Sequence, residues 1–328
     1  MPEQNGKPTV IITEQTYGKS KDVFDAVTDL RIIRAADEEE ELSHVVRKER
    51  PRAVVIGSEK YSGPLYDSLQ KGAIIARFGV GCDGVDFARA KEKGLVVTNT
   101  PEVLESTVAE LTVFIAAEVL RRVGASHEQM KRGEWSPYIG KDLHGKTWAI
   151  VGMGNIGRKL SKILSFGFGV KVLACRRNTR EADTIQKECG AERVLSDFPE
   201  VVRSADIVSI HIPASQATFH FLDKNRLRLL KPGAILINTG RGSLVDENAL
   251  YDLLKSGHLG GAGLDVFEHE PYVPIDPDRD LRTLPNVVLT PHIGSSTSEC
   301  VERMAKRVLR NIQFSLEGKH EQMDVKTE

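Results

Sequence analysis

Apolar and polar positions in this chain fall into blocks rather than alternating residue by residue. Short stretches that are largely apolar and rich in Val, Ile and Leu recur at 10–13, 53–56, 73–76 and 95–98, and again at 148–151, 171–175, 206–210, 234–238, 263–266 and 287–290. A run without polar alternation reads as a strand buried on both faces, the habit of parallel sheets. Helical periodicity fills most of the gaps between them. Asn99-Thr100-Pro101 breaks the first series, and a last helix is predicted over 297–316, beyond Pro291-His292-Ile293. Two successive strand–helix series predict two doubly wound α/β domains. The last helix is expected to return to the first domain. That domain would then comprise 1–101 and 292–328, with 102–291 as the other, chain crossings beside Pro101 and Pro291, and the cleft between the domains as the ligand site.

Two of the helical segments carry further information. Residues 36–42 hold an acidic run, and Arg47, Lys48 and Arg50 follow it. Acid at the start and base at the end complement a helix dipole, so this is a solvated helix rather than a binding tail. The segment 104–122 is apolar on nearly all sides, at Val108, Leu111, Val113, Phe114, Ile115, Ala116 and Leu120, which predicts a helix buried in a core or an interface.

Length and charge narrow the class. At 328 residues the chain has room for two domains with full cores, and a net charge of −1 supplies no field that draws it to nucleic acid or to a membrane. It has no apolar run of spanning length, and residues 1–7 are polar, expected to fray, and carry no signal-peptide pattern. Cys82, Cys175, Cys189 and Cys300 lack metal-ligand spacing. No metal is expected, and Cys82 and Cys175 lie among strand-like residues. Buried free thiols suit a reducing, cytoplasmic setting.

The candidate chemistry sits at strand ends. The glycines of GMGNIG, Gly152, Gly154 and Gly157, lie between the predicted strand 148–151 and a helical stretch. That is the context a dinucleotide fingerprint needs: one glycine for the tight turn, one for approach of the pyrophosphate, one for close helix packing. The helix N-terminus then faces the phosphates. In 238–242, NTGRG, small residues flank Arg241, a cation able to grip a carboxylate bidentately. Segment 264–271 holds Asp265, Glu268, His269 and Glu270, and segment 290–295 holds His292. A His beside a carboxylate makes an acid–base pair, but residue chemistry alone does not choose between Glu268 and Glu270. The glycine-rich turn 78–83, FGVGCD, offers backbone N–H groups to a carboxylate. Taken singly, each of these segments also fits an ordinary turn.

Together GMGNIG, HIPAS, NTGRGSLVDE, GAGLDVFEHEP and LTPHIGSS, in this order and spacing, resemble the D-2-hydroxyacid dehydrogenase family, over nearly the whole chain from Val55 to about Arg310. The resemblance implies a Rossmann-type cofactor domain and a discontinuous flavodoxin-like substrate domain. It implies reduction of a 2-oxo acid by NAD(P)H, in which Arg241 binds the substrate's carboxylate and carbonyl, His292 exchanges the proton, and Glu270, directly before Pro271, pairs with His292. Asp265 would meet the nicotinamide carboxamide. Asn155, Ile156, His211, Pro213, Thr218, Thr239, Gly240 and Gly294 would join the three glycines around the cofactor. Val80 and Gly81 would hold the carboxylate through the backbone. A homodimer through the cofactor domains is implied too, which suits the apolar helix at 104–122, with 135–138 as a candidate arm.

Two departures bear on specificity. Phosphoglycerate dehydrogenases, which resemble this chain, place arginines after the strand matching 53–56; here Gly57-Ser58-Glu59-Lys60 stands there, and Glu59 would repel a phosphate. The chain also ends at Glu328, without the regulatory domain many of them append. Glyoxylate or hydroxypyruvate is therefore the expected substrate class. The alternatives are phosphoglycerate, phosphite oxidation on the same scaffold, and a dinucleotide-sensing regulator resembling the family's corepressors. At the position where NAD-specific folds carry an acid for the ribose, this chain has Arg176, then Arg177, Asn178 and Arg180, with no carboxylate before Glu181. A guanidinium pairs with a 2′-phosphate, so NADP(H) is expected to be preferred, read by Arg176 and Arg177, with NAD possible.

Overall fold

The computed structural model describes residues 6–327; residues 1–5, at the polar start, lie outside the described residues. The chain divides into two units, residues 1–104 with 295–328, and residues 105–294. Both crossings fall three residues past the expected domain bounds of 101 and 291. The cause is local bonding. The Val103 carbonyl accepts from Arg303 Nε at 3.0 Å, within the first unit. At the other crossing, Ile293 and Gly294 donate their N–H groups to the Asp265 carboxylate, both at 2.8 Å, which keeps them and His292 in the second unit.

The first unit carries strands β1 (Thr9–Thr13), β2 (Arg31–Ala35), β3 (Ala53–Ile56), β4 (Ile74–Arg77) and β5 (Val96–Thr98). They run parallel in the order β2-β1-β3-β4-β5, and the terminal pair Val325–Lys326 adds antiparallel to β5. This is the flavodoxin-like order. Helix Glu39–Glu49 lays Leu42 and Val46 on the sheet. Its start is capped by the Glu38 carboxylate, which accepts from the N–H groups of Glu40 and Glu41 at 3.1 and 2.9 Å. Helix Ser298–Leu316 packs on the same unit, where Ser20 Oγ donates to the Val301 carbonyl at 2.9 Å and Asn311 Nδ2 to the Asn99 carbonyl at 3.2 Å.

The second unit carries β6 (Thr147–Val151), β7 (Lys171–Cys175), β8 (Ala191–Leu195), β9 (Ile207–Ile210), β10 (Ile235–Asn238), β11 (Gly261–Leu264) and β12 (Val287–Leu289). All pairs are parallel, in the order β8-β7-β6-β9-β10-β11-β12. This is the Rossmann order extended by one strand, with its topological switch between β6 and β9. Helix Glu105–Arg121 belongs to this core: Ala109, Val113, Ile115 and Ala116 cluster with Trp148, Ile150, Ile235 and Ile237. Its apolar surface is thus largely spent within the chain, and only Phe114 among its large apolar residues stands out, 64% exposed.

Strands β2 and β8 were not expected. Each lies at a sheet edge and carries exposed charged residues, Arg31 and Arg34 in one, Glu192 and Arg193 in the other, so neither shows a continuous apolar run. Cys175, Cys189 and Cys300 are buried and form no disulfide; Cys82 lies in the turn after β4 rather than in a strand, and is only half-buried. Among the described residues, no group of side chains is arranged to hold a metal, and no helix is long and apolar enough to cross a membrane.

Candidate active site

The glycine turn sits at the switch of the second sheet. Gly152 leaves β6 with φ +106°, and a Cβ there would lie 2.5 Å from the His211 carbonyl oxygen. A Cβ on Gly157 would lie 2.1 Å from the Gly152 carbonyl oxygen, so the helix reaches the strand only because this position is bare. Gly154 differs: it is the N-cap of helix Asn155–Lys162, no side chain caps it, and the space at its Cβ position is open. The first-turn N–H groups at Asn155 and Ile156 have no intrahelical acceptor and face outward with the positive end of the helix. This bare cradle fits a pyrophosphate.

Residues expected around the cradle take several forms. His211 directly follows β9, with both ring nitrogens buried and without a hydrogen-bond partner; burial holds its pKa down at about 4, so the ring is neutral. Thr218 Oγ1 accepts from the Ser215 N–H and donates to the Pro213 carbonyl, both at 2.8 Å, which closes the loop after β9. After β7, Arg176 Nη1 and Arg158 Nη2 both bind Glu181 Oε2, at 2.6 and 2.7 Å. Arg177 and Arg180 are exposed beside them.

The candidate acid–base residues come from three neighbouring strand ends. Asn238 ends β10 and folds the next turn, its Nδ2 donating to the Arg241 carbonyl at 2.8 Å and its Oδ1 accepting from the Gly240 N–H at 3.0 Å. Arg241 Nη1 donates to the Gly240 carbonyl at 2.8 Å. Asp265 follows β11, wholly buried. Its carboxylate accepts from Thr290 Oγ1 at 2.6 Å and from the N–H groups of Ile293 and Gly294, and its carbonyl accepts the His292 N–H at 2.9 Å. Burial pushes the Asp265 carboxyl above its ordinary value, and these bonds oppose that. They also hold His292 at φ +51°, a conformation L side chains rarely adopt. Nδ1 of His292 lies 2.6 Å from Glu270 Oε2, while Glu270 Oε1 accepts the Phe267 N–H at 3.0 Å. Burial works against the Glu270 charge, but the bond from His292 and the nearby His292 and Arg241 outweigh it and hold the carboxyl below its ordinary value.

The structure therefore brings Arg241, Glu270 and His292 together. Glu268 goes elsewhere, to 2.9 Å from His220 Nε2. Two residues expected to meet the cofactor also bond within the protein. The Thr239 hydroxyl pairs with that of Thr112 at 2.8 Å, behind the Arg241 turn. The Asp265 carboxylate holds the 290–294 turn. In the other unit, the Val80 carbonyl accepts from Asn99 Nδ2 at 2.8 Å. Glu247 and His220 were not marked by the sequence: a carboxylate at a helix start or a single histidine in a loop carries no local sign of its tertiary partner.

The family model for the D-isomer specific 2-hydroxyacid dehydrogenase NAD binding domain matches residues 113–294. The chain is 41% identical over 268 residues to a glyoxylate reductase of Thermococcus litoralis, covering 79% of this chain and 78% of that one. It is similar to the NADPH-dependent glyoxylate/hydroxypyruvate reductase from Sinorhizobium meliloti solved with NADP and malonate: TM-score 0.80, 29% identity, 94% of this chain and 93% of that one. It is similar also to D-lactate dehydrogenase from Aquifex aeolicus complexed with NAD and lactic acid: TM-score 0.82, 25% identity, 97% and 99% covered.

Proposed function

We propose a specific reaction for this chain, from the premise that it belongs to the D-isomer specific 2-hydroxyacid dehydrogenase family and is an NAD(P)-dependent enzyme of that family. The reaction is reduction of a small 2-oxo acid, glyoxylate or hydroxypyruvate, to the D-2-hydroxy acid, with NADPH preferred. The observation that carries it is the Glu270–His292 pair at 2.6 Å, with Arg241 near enough to act on the charge of Glu270. A carboxylate at Nδ1 stabilises the imidazolium and leaves Nε2 to hold the transferable proton. Arg241 grips the substrate carboxylate and stabilises the negative charge that develops on the carbonyl oxygen. His292 delivers its proton to that oxygen. The dinucleotide, when bound, supplies the hydride. Gly152, Gly154, Gly157, Asn155 and Ile156 seat its pyrophosphate, with His211, Gly240 and Gly294 beside them. Asp265 meets the nicotinamide carboxamide and Thr239 the cofactor, while their internal bonds fix the His292 and Arg241 turns. In the other unit the Val80–Gly81 turn suits a carboxylate.

The arginine cluster supports NADPH. Arg158 and Arg176 share a single Glu181 oxygen, and Arg177 and Arg180 stand exposed nearby. A 2′-phosphate offers more charge and more acceptors than that carboxylate, so it competes well for the guanidiniums. The S. meliloti relative was solved with NADP. For the substrate, a Glu59 carboxylate oxygen lies beside Gly57 after β3, where it would repel a phosphate, and Lys60 next to it is a weaker phosphate partner than a bidentate arginine. We read the exposed Met130, Trp135, Tyr138 and Ile139, the last 93% exposed, as surface covered by a second copy in a homodimer through the cofactor domains. Cysteines that form no disulfide agree with a cytoplasmic setting.

The test is a panel of glyoxylate, hydroxypyruvate, pyruvate and 3-phosphohydroxypyruvate, each assayed with NADPH and NADH. The largest kcat/KM is expected for glyoxylate or hydroxypyruvate with NADPH. A larger value for the phosphorylated acid than for both would overturn the substrate assignment.

A further inference from the structure

Three side chains outside the proposed chemistry converge from three loops. Glu247 opens helix Glu247–Lys255 and is 5% exposed. Its Oε1 accepts the backbone N–H of Glu268 at 2.7 Å. Glu268 answers with Oε1 at 3.4 Å from the backbone N–H of Glu247, and its Oε2 lies 2.9 Å from His220 Nε2. His220 is itself pinned, its backbone N–H donating to the Ser243 carbonyl at 2.8 Å and its ring stacked on Phe219 at 4.0 Å between centroids.

The same loops meet backbone to backbone. A Cβ on Gly242 would lie 1.9 Å from the Phe267 carbonyl carbon, so the segment after Arg241 rests directly on the segment before Glu270. Phe267 is in turn bound through its N–H to Glu270 Oε1 at 3.0 Å. A displacement of residues 267–268 therefore reaches both Glu270 and the Arg241 turn.

We infer that Glu247 is a positioning residue, which sets the spacing of Arg241 from the Glu270–His292 pair by holding the backbone at Glu268. The inference rests on the reading of those three residues as the reacting set. The charged and titratable groups that face Glu247 are Glu268, Glu270, His220 and Tyr272. Burial, with Glu268 and Glu270 adding repulsion, pushes the Glu247 carboxyl up to about 7, and its Oε2 is buried without a partner. The uncharged acid is the form that sits there at low cost, and a glutamine imitates it.

The experiment compares Glu247→Ala and Glu247→Gln in the full-length enzyme. Glu247→Ala leaves the Glu268 N–H unpaired, and kcat should fall roughly tenfold or more while the Kd for NADPH stays within about twofold, because the glycine cradle lies elsewhere. Glu247→Gln keeps an acceptor for that N–H and should restore kcat to within about threefold of native. Its kcat relative to native should rise between about pH 6 and about pH 8, where the native carboxyl becomes charged and the amide does not. A folded Glu247→Ala enzyme with native kcat overturns the inference. If the alanine variant does not fold, a Gln-to-native ratio that stays flat with pH overturns it. A native rate in His292→Ala would instead overturn the underlying reading.

Discussion

Replacing Glu270 with Gln isolates one contact in the proposed acid–base pair. In the native structure Oε2 takes the His292 Nδ1 at 2.6 Å and Oε1 takes the Phe267 N–H at 3.0 Å. An amide has only one oxygen to offer. If that oxygen keeps the Phe267 N–H, the NH₂ group faces Nδ1 and opposes a proton there, which drives the ring away from the imidazolium. If the amide turns over, the Phe267 N–H loses its acceptor. Either way one charge-assisted bond is lost, worth roughly 1.5–3 kcal/mol, so kcat should fall by about ten- to a hundredfold. The loss should lie in kcat, with the Kd for NADPH unchanged. The assay is steady-state reduction of glyoxylate, with NADPH binding followed by fluorescence. The variant should also lose a pH-linked stabilisation. The native Glu270 carboxyl lies below its ordinary value, so its charge favours the fold above that value and the benefit disappears as the pH falls through the folded value. A Glu270→Gln enzyme with kcat within twofold of native would refute the proposed role of the pair.

Arg176→Asp removes one of the two guanidiniums on Glu181 and sets a second carboxylate beside it. kcat/KM for NADPH should drop about tenfold or more and that for NADH should rise; an unchanged NADPH-to-NADH ratio would show that Arg176 does not set the preference. Gly157→Ala would place a Cβ 2.1 Å from the Gly152 carbonyl oxygen, against backbone that has little room to yield. About 1–3 kcal/mol of stability should be lost, seen as a Tm lowered by several degrees together with weaker NADPH binding, whereas native values for both would show that the turn relaxes freely.

Strands and site segments were legible from the sequence wherever the physics is local. β3 and β7 are apolar runs because both faces of a parallel sheet are covered, and such a run is visible without its neighbours. Edge strands β2 and β8 face water on one side, carry charge, and leave no such mark. The glycines at 152 and 157 were legible because the strand-to-helix turn that demands them lies within the same few residues.

By itself the sequence determined two doubly wound domains, the glycine turn, and Arg241 and His292 as residues of the right chemistry at strand ends. Residue chemistry left Glu270 and Glu268 open and the family resemblance favoured Glu270; the tertiary structure shows the physical reason. Two positions apart in the chain, one reaches His292 and the other lies against His220 and Glu247. Only the tertiary structure set Glu181 between Arg158 and Arg176, and bound Asp265 to the turn that carries His292. The reason is one of range. Periodicity and turn chemistry act over a few residues, whereas a carboxylate's partner depends on how parallel strands register and which loops their ends bring together.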